Sequence, residues 1–247
     1  EIFDQFYSEI YGERWPKLKE ALLAEKDHIV LRDSYYFLDG ASAFAPLALN
    51  IEPGDDVLDL CAAPGGKSLI MAFLLGDQGS LTSNDKSQDR RLRMLQNFKN
   101  FLPEEFVENQ LRVTGFDAGA WCLHEKEAYN KILLDAPCSS ERHILESPSH
   151  LSEWRQGRTK RLSTLQWTML ASAWLVLKSG GTLVYSTCSI SPLENDKVIA
   201  KLLKKFKEEV TVTFPEIPGG EKTDHGTILL PDHSGYGPFY LSVLQKA

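Results

Sequence analysis

Two hydrophobic rhythms alternate along this chain. From residue 55 onward, short aliphatic runs trade places with longer segments whose apolar positions recur every three or four residues. DVLDL (56–60), SLTSND (80–85), QLRVTG (110–115), KILLDA (131–136) and TLVYST (182–187) predict five strands. KSLIMAFLL (67–75), DRRLRMLQNFKNF (89–101), RLSTLQWTMLASAWLVL (161–177) and PLENDKVIAKLLKKF (192–206) predict helices. Gly180 and Gly181 close the third of these, and Pro192 opens the fourth. Strands alternating with helices predict an α/β fold with a mostly parallel, doubly wound sheet. VTVTF (210–214), GTILLP (226–231) and PFYLSVL (238–244) read as closing strands. The short Asp/His/Ser/Gly connection between the last two predicts an antiparallel edge.

Ahead of residue 55 the pattern changes. Residues 1–30 are acidic and rich in aromatics. WPKLKEALLAEK (15–26) places Trp15, Leu18, Leu22 and Leu23 at helical spacing, with Pro16 in the first turn. LDGASAFAPLALNI (38–51) predicts a short helix. The chain therefore divides into a helical lead-in over residues 1–34 and one α/β domain over residues 35–247.

Composition narrows the class. No apolar run reaches the ~18 residues of a membrane span, so no membrane association is expected. The cysteines at 61, 122, 138 and 188 form no C-x-x-C pair, which argues against a zinc knuckle and predicts no metal site. Their wide separation in a chain long enough to bury a core predicts reduced thiols in a reducing compartment. The net charge of −7 argues against a general nucleic-acid binder. Any RNA contact must come from a local patch.

The strand ends carry the chemistry. In VLDLCAAPGGKS (57–68) a strand runs into a Gly-rich turn and a helix start, which lets backbone approach a ligand closely. Asp85 lies 19 residues past Gly66, near the ~20 at which an acid meets ribose hydroxyls. Asp117 and Asp135 follow the next two strands. A P-loop would need glycine where Cys61 stands, a nicotinamide dinucleotide site would need G-x-G-x-x-G, and a merely tight turn is the bland alternative. A nucleoside without a polyphosphate fits better, and S-adenosylmethionine is the natural choice: a ribose for Asp85, an adenine near Asp117, an ammonium for carboxylates.

Cys61 and Cys122 read as small buried hydrophobes. Cys138 and Cys188 each follow a strand's carboxyl end, where this fold binds ligands. Their strands should be neighbours, so both thiols should border one pocket. A reactive thiol must be a thiolate, and Lys67 is the nearby cation. A thiolate adding to C6 of cytosine makes C5 nucleophilic, with Asp135, if protonated, controlling charge at N3. The residues themselves do not say which thiol attacks.

DLCAAPGGKS, LLDAPCSS and YSTCSISPLEND, in this order and spacing, resemble the Sun/Fmu-type RNA cytosine-5 methyltransferases over about residues 35–247. FDQFYSEIYGERWPKLKEALL looks like the lead-in of the mitochondrial ribosomal-RNA members. The resemblance implies a Rossmann-like class I fold dependent on S-adenosyl-L-methionine. It implies a cofactor site at Cys61, Ala62, Ala63, Pro64, Gly65, Gly66, Lys67, Asp85, Arg90, Asp117, Ala118 and Asp135. It implies Cys188 as nucleophile and Cys138 as the thiol that aids release, with Asp135 and Lys67 beside them. In the related DNA enzymes the Pro-Cys thiol attacks, so exchanged roles are the alternative.

Two basic clusters offset the acidic total. KSQDRRLRMLQNFK (86–99) reads as a solvated helix face. SEWRQGRTKR (152–161) lies between the Pro-Cys turn and the next helix, so Arg155, Arg158, Lys160 and Arg161 are the expected RNA contacts, with Trp154 available for stacking. Ribosomal RNA is the favoured substrate and transfer RNA the alternative. An inactive RNA-binding assembly factor is a second alternative, against which both thiols, Asp135 and Lys67 argue. The expected state is a monomer, targeted by a partner protein or a ribosomal subunit. The expected compartment is the mitochondrial matrix in a eukaryote or the cytoplasm in a bacterium. The PDHSGYGPF loop (231–239) reads equally as a border of the pocket or as plain turn chemistry, and His143 is given no catalytic role.

Overall fold

The computed structural model describes residues 2–24, 28–30 and 37–247. The expected boundary between residues 34 and 35 lies outside them. Two helices, α1 (Ile2–Tyr11) and α2 (Trp15–Leu23), open the chain. A small antiparallel ladder follows, β1 (His28–Val30) with β2 (Phe37–Asp39). Asp39 caps a short 3-10 turn by accepting from the Ala41 amide, and α3 (Phe44–Leu47) continues it.

The alternating region then runs β3 (Asp56–Asp59), α4 (Gly66–Leu75), β4 (Ser80–Asn84), α5 (Gln88–Phe101), α6 (Glu104–Asn109), β5 (Leu111–Thr114) and β6 (Tyr129–Asp135). Next come α7 (Glu141–Glu146), α8 (Pro148–Glu153), α9 (Gln156–Val176), β7 (Leu177–Thr187) and α10 (Asp196–Phe206). The chain closes with β8 (Val210–Thr213), β9 (Gly220–Lys222), β10 (Thr227–Leu229), α11 (Pro231–Ser234) and β11 (Phe239–Lys246).

One sheet organises the fold, in the order β5-β4-β3-β6-β7-β11-β10-β9, with β8 also paired to β11. Strands β5 through β7 are parallel, and β11, β10, β9 and β8 are antiparallel to their neighbours. The sheet is the expected doubly wound one. Its order reverses between β3 and β6, the place where open α/β sheets bind ligands beyond the carboxyl ends.

Period-two alternation in the strands explains the two layers of helices. Leu58, Ile132, Leu134, Leu183 and Tyr185 face one side, where residues of α1, α2, α9 and α10 cover them. Val57, Leu133 and Val184 face the other, under residues of α3, α4, α5 and α6. Among the described residues, no helix is long and apolar enough to cross a membrane.

Several expectations need correction. The third long helix starts at Gln156, not residue 161, and runs straight into β7 at Leu177, so Gly180 and Gly181 sit within the strand. Pro192 precedes α10 by a turn, because its helix begins only at Asp196. The last two predicted strands do pair as expected, and β11, β10 and β9 form the antiparallel edge of the sheet beyond β7. Helices α6 and α8 and strand β9 are additional to the predicted elements.

Trp154 is also corrected. It is 2% exposed and therefore not free to stack on a base. Its ring lies 5.1 Å from Phe3, 5.3 Å from Phe6 and 6.1 Å from Tyr7. Large aromatics bury more area than they can leave wet, so the first helices dock here. Trp154→Ala should cost about 3–5 kcal/mol of unfolding free energy, measured by denaturant titration. RNA affinity of the folded fraction should not change.

Candidate active site

Strands β6 and β7 run in register, with Asp135 opposite Ser186. Each then leaves the sheet at the same height, which brings the two cysteines together. Cys138 Sγ and Cys188 Sγ stand 3.0 Å apart as free thiols. Cys188 is exposed and Cys138 is half-buried. The hydrogen bond offered by Cys138 pulls the Cys188 thiol below its ordinary value, against burial, with Ser140 adding to the fall. The same contact, together with burial, pushes Cys138 far up. Of the two thiols, Cys188 is therefore the one that gives up its proton more readily.

Asp135 stands beside them. Its Oδ1 accepts from Ser186 Oγ at 2.8 Å, and its Oδ2 meets the Lys67 ammonium at 2.8 Å. Burial disfavours the Lys67 charge, but Asp135 outweighs it and Lys67 rises. Lys67 also lies over the Phe239 ring, 5.7 Å from its centre, so the end of the 231–239 loop borders the site.

A cavity of about 230 Å³ opens on the same side. Of the predicted cofactor residues, Cys61, Ala62, Ala63, Pro64, Gly66, Lys67 and Asp135 line it. Gly65 adopts φ +110°, the left-handed conformation that starts α4, and a Cβ there would meet Phe98 at 3.0 Å. Asp85 caps its own turn through the Ser87 amide and pairs with Arg90 at 3.2 Å; Arg90 also donates to the Ala63 carbonyl at 2.6 Å. Asp117 accepts from the Gly119 amide and pairs with Lys86 at 2.6 Å, with Ala118 buried behind it. Asp85 and Asp117 follow the ends of β4 and β5, Arg90 lies in the first turn of α5 and Ala118 opens the 3-10 turn after Asp117; none of the four lines that cavity. Asp39 and Ser42 do line it, as does Asp59. Carboxylates with one ammonium make a donor set that fits the zwitterionic amino-acid end of S-adenosylmethionine.

The sequence reading missed three other residues. Asn84, buried, stitches three strand ends: it donates to Leu60 and Phe116 carbonyls and accepts from Thr114 Oγ1 and the Phe116 amide. Glu141, buried, sits between the cysteine loops. It accepts from Tyr7 Oη at 2.6 Å, Ser189 Oγ at 3.0 Å, the Ile190 amide at 3.1 Å, and Ser139 Oγ. Glu194 accepts from the Ser139 amide at 2.9 Å and from Gln166, whose amide also holds the Pro137 carbonyl. A capping or polar pattern was visible for Asn84; nothing in spacing alone marks Glu141. Arg155, Arg158, Lys160 and Arg161 are all exposed at the α8–α9 junction, and Arg155 bends back to the Ser152 and Trp154 carbonyls. Among the described residues no group of His, Cys, Asp or Glu could hold a metal ion. Cys61 rises by burial and Cys122 is half-buried against the core.

Asp59 supplies a pH test. Burial and then the nearby Asp135 push it up to about 7, opposed by the hydrogen bond from Ser68. An unfolded aspartate titrates near ~3.9, so the folded chain holds the extra proton across that window. Stability should fall as pH rises from about 4 to about 7. Glu194, pushed up to about 7 by burial and Glu141, contributes with the same sign. Asp59→Asn should reduce, not abolish, the difference in urea unfolding between the two ends of that window. An undiminished difference would refute the assignment.

Residues 46–245 match the family described as 16S rRNA methyltransferase RsmB/F. The chain is 38% identical over 181 residues to the bovine (Bos taurus) 5-cytosine rRNA methyltransferase NSUN4, covering 72% of this chain and 47% of that protein. It is 36% identical over 229 residues to the mitochondrial tRNA (cytosine(34)-C(5))-methyltransferase of Danio rerio, covering 86% and 60%. The chain thus spans about half to three-fifths of these relatives' length. NSun6 from Pyrococcus horikoshii, crystallised with SFG, superposes with a TM-score of 0.73 at 26% identity, over 88% of this chain and 56% of that one. A methyltransferase homolog from the same organism shares the fold, with a TM-score of 0.77 at 21% identity over 98% and 93%. Coverage and identity at this level place the chain in the RsmB/F family of methyltransferases.

Proposed function

We propose that this chain transfers a methyl group from S-adenosylmethionine to C5 of a cytidine in RNA, with ribosomal RNA the favoured substrate. The supporting observation is the pair of sulfurs 3.0 Å apart, at neighbouring strand ends beside the Lys67–Asp135 pair. The cofactor, held by residues 61–67, Asp85, Arg90, Asp117, Ala118 and Asp135, supplies an electrophilic methyl group. A target base must leave its stack to reach the cleft.

Cys188 is the attacking group. Its lone pair forms the S–C6 bond, and the C5–C6 π pair moves into the ring and leaves C5 nucleophilic. Cys138, kept as a thiol, stands close enough to aid release of the product. Lys67 holds Asp135 in place next to the base. A transfer RNA substrate is the second reading, favoured by the likeness to the zebrafish enzyme. The lead-in at residues 1–34 serves the catalytic unit at 35–247, and a monomer acts with a partner protein or ribosomal subunit that completes target choice. A reducing compartment, matrix or bacterial cytoplasm, suits a working thiolate.

Cys188→Ala should lower methyl transfer by more than about 10³-fold and abolish covalent trapping on 5-fluorocytidine RNA. Cys138→Ala should instead let a protein–RNA adduct accumulate, visible as a shifted band on a denaturing gel. Trapping that survives in Cys188→Ala would exchange the two roles. Neutralising Arg155, Arg158, Lys160 and Arg161 should weaken RNA binding and reduce the slope of log affinity against log salt by ~0.7 per lost phosphate contact. An unchanged slope would move the RNA to another face.

A further inference from the structure

Ser140 occupies a costly position for a residue that merely connects a strand to a helix. Its φ is +54° and ψ +66°, the left-handed conformation that glycine adopts freely and serine does not. It stands at the N-cap of α7, where a serine hydroxyl normally accepts from a helix amide. Here the side chain makes no capping hydrogen bond. It turns instead to the two sulfurs, with Oγ 3.1 Å from Cys188 Sγ and 3.6 Å from Cys138 Sγ. A strained backbone and a forgone cap are both explained if the hydroxyl is needed at the thiols.

We infer that Ser140 is a catalytic residue: its hydroxyl donates a hydrogen bond to the Cys188 sulfur and holds it as the attacking thiolate. This rests on the reading of Cys188 as nucleophile. The ionisable groups facing Cys188 are Cys138 and Asp135 from the β6 end, Glu141 from α7, and Lys67 from α4. Three of these are acidic and, among the described residues, Lys67 is the cation recorded against Cys188, so hydrogen-bond donors carry the remainder. When the sulfur lone pair enters the S–C6 bond the charge moves into the ring and the Ser140 bond weakens. When that bond breaks, the pair returns to sulfur and the hydroxyl receives it again. The same donor thus favours the thiolate before attack and as leaving group.

The test is alkylation of Cys188 by iodoacetamide across pH 5–10, read by peptide mass spectrometry, in the parent chain, Ser140→Ala and Ser140→Gly. Loss of one hydrogen bond to a charged sulfur should raise the midpoint by about one pH unit in both variants, near tenfold slower alkylation at neutral pH. Ser140→Gly relieves the positive φ, so its melting temperature should equal or exceed the parent's, which separates chemistry from folding. Midpoints unchanged in both variants would overturn the inference. Parallel methyl-transfer assays on cytidine-containing RNA keep the two readings apart. A parent chain that transfers no methyl group defeats the proposed function, and the alkylation midpoints judge Ser140 regardless.

Discussion

One buried carboxylate sets the geometry of the cleft. Glu141 is fully buried, and a polar group there is tolerated only when its oxygens are satisfied. Its donors come from three separate places: Tyr7 in α1, Ser139 beside Cys138, and Ser189 and Ile190 just past Cys188. Parallel strand pairing ends at Asp135 and Ser186, with a last backbone hydrogen bond from the Ala136 amide to the Ser186 carbonyl at 2.8 Å. Glu141 takes over where the ladder stops. A sulfur separation of 3.0 Å depends on that hand-over.

The surrounding charges explain why the thiols differ. Asp59, Asp135, Glu141 and Glu194 crowd one end of the sheet, with Lys67 as their near cation. Burial first, and then the neighbouring carboxyls, push Asp59 and Glu194 both up to about 7. The same field opposes a thiolate. Cys188 overcomes it through short contacts with Cys138 and Ser140, not through bulk electrostatics. Cys138 sits deeper, its contact with Ser140 is longer at 3.6 Å, and the Cys188 contact and burial push it far up.

Period-two and period-3.6 patterning made the sheet, its parallel sense and four of its covering helices readable from the chain alone. The adjacency of Cys138 and Cys188 followed from strand order, and Lys67 from its place on the next turn. What was not readable has a common cause. Glu141, Glu194 and Ser140 act through contacts between residues far apart in sequence or through a backbone angle, and neither leaves a periodic trace. Trp154 failed for a related reason. A tryptophan amid arginines has the composition of a nucleic-acid contact, but α1 supplies Phe3, Phe6 and Tyr7 to cover it. The start of α9 was misplaced because residues 156–160 are polar, and tertiary packing at Thr159 and Ser163 decides the helix there.

The lead-in helices therefore belong to the cleft as well as to the core. Tyr7 ends on Glu141, and Tyr11 donates to the Ile190 carbonyl at 2.6 Å, two residues past Cys188. Arg14 forks onto Glu221 and Asp232, tying β9 to α11 at the base of the loop that delivers Phe239 under Lys67. An exposed ion pair alone would hold little, but a guanidinium bidentate to two carboxylates fixes direction as well as distance. Tyr7 and Tyr11 reach the segments that carry the cysteines, and Arg14 reaches β9 and the start of the loop that leads to Phe239. A displacement of α1 would pass to both cysteine loops at once, since the carboxylate it docks is the one they share.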